Sequence, residues 1–428
     1  MTNGESTQDT ATSTEGSTTG STTSSTTNST TNSTTGATSS TSSSSSSGSS
    51  PAYTGVTPLA TEIAQPAVYK YPGEALGPDE MRVTLAGSGM GNMVRRTQAD
   101  CSIFVELGNG DSFVFDLGIG SLVNYQTMMI PFSRMTNIFI SHLHMDHMND
   151  LPGLYAFGPS GGRYQPLRVF GPSGQTPDLG LRHSIEGMKQ FCRWHTTSFA
   201  TAQAIDGSYD IEVNELDFRA NPGIAYQENG VTITHWPALH VIDGAISYRL
   251  DWNGLSFVWS GDTEPNHFLV KHAAGADILV HETFPTLRRW DTVFPGTTQG
   301  YLGNLSTSHT SALCYGKVLS LTKPRMAVTN HCVSDDQEWT DIVTDIRVNW
   351  PGPYQLGSDF MVFNVSKDAI VTRKAAINDQ SWGSNIGQAT SSTAPLNSAD
   401  FRSPAIFDAA LTDCGGPAGG MSSDTSQS

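Results

Sequence analysis

In a chain of 428 residues, 23 Lys and Arg stand against 40 Asp and Glu, a formal net charge of −17. The average field of such a chain repels polyanions and weighs against DNA or tRNA as a partner unless a local basic patch overrides it. Five cysteines, Cys101, Cys192, Cys314, Cys332 and Cys414, form no C-x-x-C pair and are odd in number, which gives neither a disulfide framework nor a structural zinc knuckle.

Residues 1–50 are almost entirely Ser, Thr, Gly and Asn, too poor in apolar surface to offset the entropy of ordering, and read as a disordered tether. The start shows no basic n-region followed by an apolar stretch. The tract does resemble the tethers that follow the lipidated cysteine of bacterial lipoproteins. That implies an exported, lipid-anchored envelope protein if a signal precedes Met1, and a cytoplasmic one otherwise. Residues 51–80, with Pro51, Pro58, Pro66, Pro72 and Pro78, read as an extended lead-in. A single domain is expected over 81–375 and a low-complexity tail over 376–428. No window reaches the roughly 18 consecutive apolar residues of a membrane span.

The domain opens with a strand over Met81–Ala86, closed by Gly87-Ser88-Gly89. That pair of glycines lacks the third glycine and following helix of a dinucleotide site and reads as a turn. The loop after it carries Arg95 and Arg96. Cys101–Leu107 and Ser112–Asp116 form a hairpin, and Asp116-Leu117-Gly118 ends its second strand. Asn137–Ile140 is a short β-branched and aromatic run, read as a buried strand. It opens into Ser141-His142-Leu143-His144-Met145-Asp146-His147, with Asp150 behind. On a tight loop His142 and His144 can face one way and Asp146 and His147 another, which suits two adjacent metal positions. Imidazole nitrogen with carboxylate oxygen favours Zn2+, with Fe or Mn2+ also compatible.

Further elements follow in order. A helix begins at Leu151–Phe157, and a strand covers Leu167–Phe170. An amphipathic helix over Arg182–Trp194 puts Ile185, Met188, Phe191 and Cys192 on one face. Strands cover Ile211–Phe218, Val231–Trp236, Ala245–Trp252 and Leu255–Trp259, the last two joined across Asn253-Gly254, a strong hairpin signal. Phe268–Ala274 is helical, Asp277–His281 a strand, Ser311–Leu321 a helix and Met326–Asn330 a strand. Strands in two clusters, each followed by helices, suit an α/β sandwich of two mixed β-sheets with helices outside.

His142-x-His144-x-Asp146-His147 resembles the metal motif of the metallo-β-lactamase superfamily, and the downstream stretches resemble its ribonuclease Z-like branch. Within that branch the chain is most similar to hydrolases of guanitoxin-type biosynthetic clusters and, more loosely, to arylsulfatase-like members. The resemblance covers roughly residues 81 to 375 and implies the αβ/βα metallo-β-lactamase fold. It implies two Zn2+ ions, one on His142, His144 and His240, the other on Asp146, His147 and His331, with Asp262 bridging. Catalysis would use a metal-bridging hydroxide, since close cations lower the pKa of a bound water from about 15.7 to near 7. Asp116 would lie under the metal loop and orient it, although the residues alone fit a strand-end turn equally well. His309, in Ser308-His309-Thr310, would act as general acid, held by Glu282 of His281-Glu282-Thr283. A structural pair is the other reading.

The substrate is less defined. Members that process tRNA carry a basic arm, whereas acids outnumber basic residues seven to four between residues 180 and 230. Arg95 or Arg96 could clamp one phosphate or sulfate, and Trp194, His195, His235 and Trp236 could line an aromatic pocket or simply pack. The leading expectation is a phosphodiesterase acting on a small-molecule ester, with a homodimer as a candidate assembly. Arylsulfatase-like activity and tRNA 3′ processing are the alternatives within the branch, and a non-catalytic metal-binding surface protein the alternative outside it.

Overall fold

Successive residues of a strand point to opposite faces, and here both faces are apolar on most strands. In the computed structural model Ile103, Val105 and Leu107 enter one core while Phe104 enters another. Phe257 and Trp259 likewise face away from Val258. A strand buried on both faces needs a layer on each side, and the chain supplies them as two facing sheets with helices outside. The structure describes residues 68–91, 95–201, 207–284, 296, 303, 305–332, 336–381 and 396–403. The Ser/Thr-rich tether, the lead-in up to residue 67, Cys414 and most of the tail lie outside them.

The first sheet has nine strands: β1 (Tyr69–Lys70), β2 (Met81–Gly87), β3 (Ser102–Leu107), β4 (Ser112–Phe115), β5 (Asn137–Phe139), β6 (Leu167–Pro172), β7 (Ile211–Leu216), β15 (Met361–Val365) and β16 (Ile370–Ala375). Their order is β1-β16-β15-β2-β3-β4-β5-β6-β7. The second sheet has seven: β8 (Gly223–Glu228), β9 (Val231–Pro237), β10 (Ile246–Trp252), β11 (Leu255–Trp259), β12 (Ile278–Glu282), β13 (Met326–Asn330) and β14 (Tyr354–Gln355), ordered β14-β13-β12-β11-β10-β9-β8. Phe115 of the first sheet meets Phe257 of the second at 4.9 Å between ring centroids, and Phe139 stacks on Phe170 at 4.4 Å.

Helices α1 (Ser121–Thr127), α3 (Leu151–Phe157) and α4 (Leu181–Phe191) cover the outer face of the first sheet through Tyr125, Leu151, Leu154, Ile185 and Met188. A single turn, α2 (Met145–Met148), precedes α3, and α5 (Arg193–Ala200) follows α4. On the second sheet α6 (His267–His272), α7 (Ala312–Thr322) and α8 (Asp336–Asn349) pack through Leu269, Tyr315, Leu319, Ile342 and Ile346. This is the α/β sandwich of two mixed sheets. Among the described residues no helix is long and apolar enough to cross a membrane.

The helix boundary and the edge of the first sheet differ from the sequence reading. The amphipathic helix ends at Phe191, and Cys192 bends the chain into α5. Phe191 lies about 90° round the helix from the stripe of Leu181, Ile185, Met188 and Cys192, so it is exposed while those four are buried. The sheet also closes with β15 and β16, where β15 pairs antiparallel with β2. A strand from the segment read as extended lead-in, β1, adds to the edge beside β16.

Candidate metal centre

β4, β5 and β6 run parallel in the first sheet, and β11, β12 and β13 run parallel in the second. Their carboxyl ends deliver Asp116, the His142 loop, Asp262, Glu282 and His331 to one rim. Two of the turns needed there are conformationally demanding. Asp116 and His331 adopt φ of 58° and 50°, the left-handed region that non-glycine residues rarely occupy and that clusters at functional sites. Asp116 is held there by what it accepts. Its Oδ1 takes the Ser141 N–H at 2.7 Å, and its Oδ2 the Ser141 hydroxyl at 2.7 Å, the Trp259 indole N–H at 2.7 Å and His147 Nδ1–H at 2.9 Å. Leu117 clamps the metal loop from the other side, donating to the His147 carbonyl at 2.7 Å and accepting from Asp150 N–H at 3.0 Å.

Seven side chains converge in two overlapping groups. In the first, His142 Nε2 lies 2.9 Å and His240 Nε2 3.2 Å from His144 Nδ1, and Asp262 Oδ2 lies 3.8 and 3.9 Å from His142 and His240. In the second, His331 Nε2 lies 3.1 Å from Asp146 Oδ2 and 3.2 Å from Asp262 Oδ2, while His147 Nε2 lies 3.4 and 3.3 Å from the same two carboxylates. Asp262 belongs to both, and with Glu282, His309 and His331 it forms a further group of potential ligands. Tautomers follow from the outer nitrogens. With His240 Nδ1–H donating to the Ser308 carbonyl at 2.8 Å and His147 Nδ1–H to Asp116, the neutral form of each ring turns its Nε2 lone pair inward.

The residues fit metal ions. His147 Nε2 and Asp262 Oδ1 are fully buried and, although 3.3 Å apart, neither is aligned for a hydrogen bond with the other or with any other described residue, a costly state for a polar atom unless something coordinates it. The field also calls for positive charge. Burial opposes a charged imidazole at His331, yet Asp262 and Asp146 hold its pKa up to about 9. His142, by contrast, is pushed down by burial and by neighbouring His147.

Beside this cluster His309 Nδ1 donates to Glu282 Oε2 at 3.0 Å and stands 3.9 Å from Asp262. Glu282 is fully buried, and its other oxygen takes the Thr263 N–H at 2.6 Å. Burial works against an imidazolium at His309, but the Glu282 carboxylate outweighs it and the pKa ends above the ordinary histidine value. His309 lines a cavity of about 360 Å³ together with His144, Asp146, His240, Asp262 and His331; Met90, Val241, Phe284 and Leu305 form its apolar wall.

The structure does not bring the remaining sequence candidates there. Trp236 is wholly buried, stacked on His272 at 5.0 Å, and serves the core under α6. Trp194 is 82 % exposed on α5 and faces a separate surface hollow with Phe401. His195 bonds the Ala156 carbonyl and His235 is buried on β9. Neither Arg95 nor Arg96 lines the metal-side cavity. Conversely, Ser141, Trp259 and the Gly91 N–H, which donates to Asp146 Oδ2 at 2.9 Å, were not evident from sequence. Only Trp259, three residues before Asp262, carried a positional hint.

A mixed α/β sandwich with paired His and Asp clusters at its strand ends defines a metallo-β-lactamase-fold protein. Residues 115–332 match the beta-lactamase superfamily domain, and the chain belongs to that superfamily. It is 27% identical over 210 residues to a ribonuclease Z of Mycobacterium bovis, covering 47% of this chain and 69% of the relative. To a ribonuclease BN of Proteus mirabilis it is 25% identical over 240 residues, covering 47% and 76%. The crystal structure of human tRNase Z, short form, has a TM-score of 0.48 and 20% identity, covering 66% of this chain and 98% of that one.

Proposed function

We propose that this metal-dependent hydrolase carries two zinc ions and cleaves a phosphodiester in a small-molecule substrate. The observation that carries the reading is His309, on the wall of the same cavity as the two ligand groups and held from behind by the buried Glu282. A binding module has no use for a proton donor poised beside its metal. Ribonuclease Z and ribonuclease BN relatives support phosphodiester chemistry. His142, His144 and His240 would hold one ion, Asp146, His147 and His331 the other, and Asp262 both. When bound, the ions would supply a Lewis acid for the ester oxygen and an acidified water as nucleophile.

The chain's own groups do the rest. Asp116 fixes the tautomer and angle of His147, and Gly91 N–H steadies Asp146. With Nδ1–H given to Glu282, His309 presents Nε2 as the nitrogen that can pass a proton to the departing alkoxide. Phe284, Leu305 and Val241 give the cavity an apolar side next to the ligand groups, against which the apolar part of a substrate can pack.

A small substrate, not RNA, is favoured by the net charge of −17 and by a described cavity wall whose non-ligand side chains are mainly apolar. The test is turnover of bis-p-nitrophenyl phosphate beside p-nitrophenyl sulfate and a tRNA with a 3′ extension. Cleavage of the phosphodiester alone is expected. Sulfate cleavage alone would move the substrate to sulfate esters, efficient tRNA trimming would replace the small-molecule reading, and no turnover by a metal-loaded protein would leave a metal-binding surface protein.

A further inference from the structure

A second cavity, about 480 Å³, opens where β2 begins and the β3–β4 turn ends, lined by Lys70, Glu74, Arg82, Glu106 and Arg134 on its polar side. It lies away from the metal centre. From Arg82 at this cavity the chain runs along β2 to Ser88 just past its end, whose carbonyl accepts from Cys332 N–H beside His331, and six extended steps at about 3.3 Å each span roughly 20 Å. Lys70 is 7 % exposed and lines the space. Among the described residues its ammonium has no hydrogen-bond partner, and burial draws its pKa down despite the nearby Glu106.

The surrounding charges do not cancel. Glu74 is engaged by Arg373 at 2.5 and 2.7 Å. Glu106 is divided between Arg82 at 3.3 Å and Arg134 at 3.5 Å. Among the lining residues three cations, Lys70, Arg82 and Arg134, face two carboxylates, Glu74 and Glu106, and Arg82 Nε is buried with no hydrogen-bond partner among the described residues. The opposite wall is apolar, formed by Leu76, Phe104, Met129 and Ile130. In a chain of net charge −17, a recess whose lining holds more cations than carboxylates, one of them a lysine ammonium that opens onto the cavity, offers an anion a partner that the described carboxylates do not fully supply.

We propose that this cavity binds an organic oxyanion, a carboxylate or phosphate ester on a short apolar body. Its head meets Lys70 and Arg134, and its body lies on Phe104 and Ile130. The lysine supplies a rotatable point charge and the arginine a planar fork, a pair suited to an oxyanion of either shape. The volume falls within the range of small-molecule sites.

Calorimetric titration of the full chain with benzoate and with phenylphosphonate tests this, run on the wild type, Asp262→Ala, Lys70→Met and Arg134→Gln. One saturable site is expected, retained in Asp262→Ala and weakened at least tenfold in Lys70→Met or Arg134→Gln; the tighter of the two probes identifies the head group. Arg134 is partly exposed, so its variant reports even if Lys70→Met does not fold. Three results would overturn the proposal: neither anion binding, binding lost in Asp262→Ala, or binding unchanged in both cavity variants.

Discussion

Asp262 is the residue on which both ligand groups depend, since its carboxylate reaches His142, His240, His147 and His331. Its replacement by alanine should lower kcat on a phosphodiester by on the order of a thousandfold, the scale at which removal of one charge-stabilising group is felt. His309→Ala separates an acid from a ligand. Loss of a general acid costs ~10² to 10⁴ in kcat with bound metal unchanged, whereas loss of metal would place His309 in the coordination shell. The pH profile gives a sharper check. Glu282 holds the His309 pKa above its ordinary value, and the acid form is lost as pH rises through that pKa, so the basic limb of kcat should move to lower pH in Glu282→Gln. A limb that stays in place would mean that another group sets it. At this scale much was legible, because His142-x-His144-x-Asp146-His147 compresses four chemical groups into one short stretch. The two readings open for Trp194 and Trp236, pocket wall or packing, could not be separated in the sequence for a physical reason. An indole is both a good pocket wall and a good core filler, and sequence does not say which face of a strand or helix turns toward the site.

Elements carry these residues by close contact between loops. A Cβ at Gly118 would overlap the Asp146 carbonyl and crowd Asp100, so Gly118→Ala must push the metal loop off Asp116. Equilibrium dialysis should show metal affinity falling by about 10- to 100-fold, the usual cost of disturbing an orienting partner; unchanged affinity would show that the loop seats without that contact. The β10–β11 hairpin makes a contrasting case. Asn253 and Gly254 have φ of 50° and 77°, as the Asn-Gly pair indicated. Gly254→Ala should destabilise by about 1 kcal/mol in chemical denaturation while leaving turnover intact. The hairpin of β15 and β16 was harder to read, for its turn at Ser366–Ala369 holds no Asn-Gly pair and its partner β2 lies at the other end of the domain. Local pattern gives a strand's existence more readily than a pairing across almost the whole chain.

Over the whole molecule, that pairing is reinforced by Arg373 of β16, which donates to both oxygens of Glu74. The hydrogen bonds from Arg373 hold the Glu74 pKa at about 2, below its ordinary value of 4.5. A carboxyl depressed by folding contributes stability above its unfolded pKa and loses it as pH falls through the folded one. Melting temperature should therefore drop between pH 4.5 and about 2, with a shallower drop in Glu74→Gln; identical acid limbs would show that the pair adds nothing. The two-sheet architecture was visible in the chain order of strands and helices, while the meeting of the two sheets' strand ends at one rim became apparent only in three dimensions. Everything proposed for function rests on that rim holding two ions. Metal content by inductively coupled plasma mass spectrometry, measured together with bis-p-nitrophenyl phosphate turnover on wild type and Asp262→Ala, tests it most directly. About two zinc ions per chain are predicted for a bridged pair of sites, with fewer ions and turnover lost in the variant. An active wild type holding one ion or none, or an Asp262→Ala chain that keeps both its metal and its activity, would contradict the account.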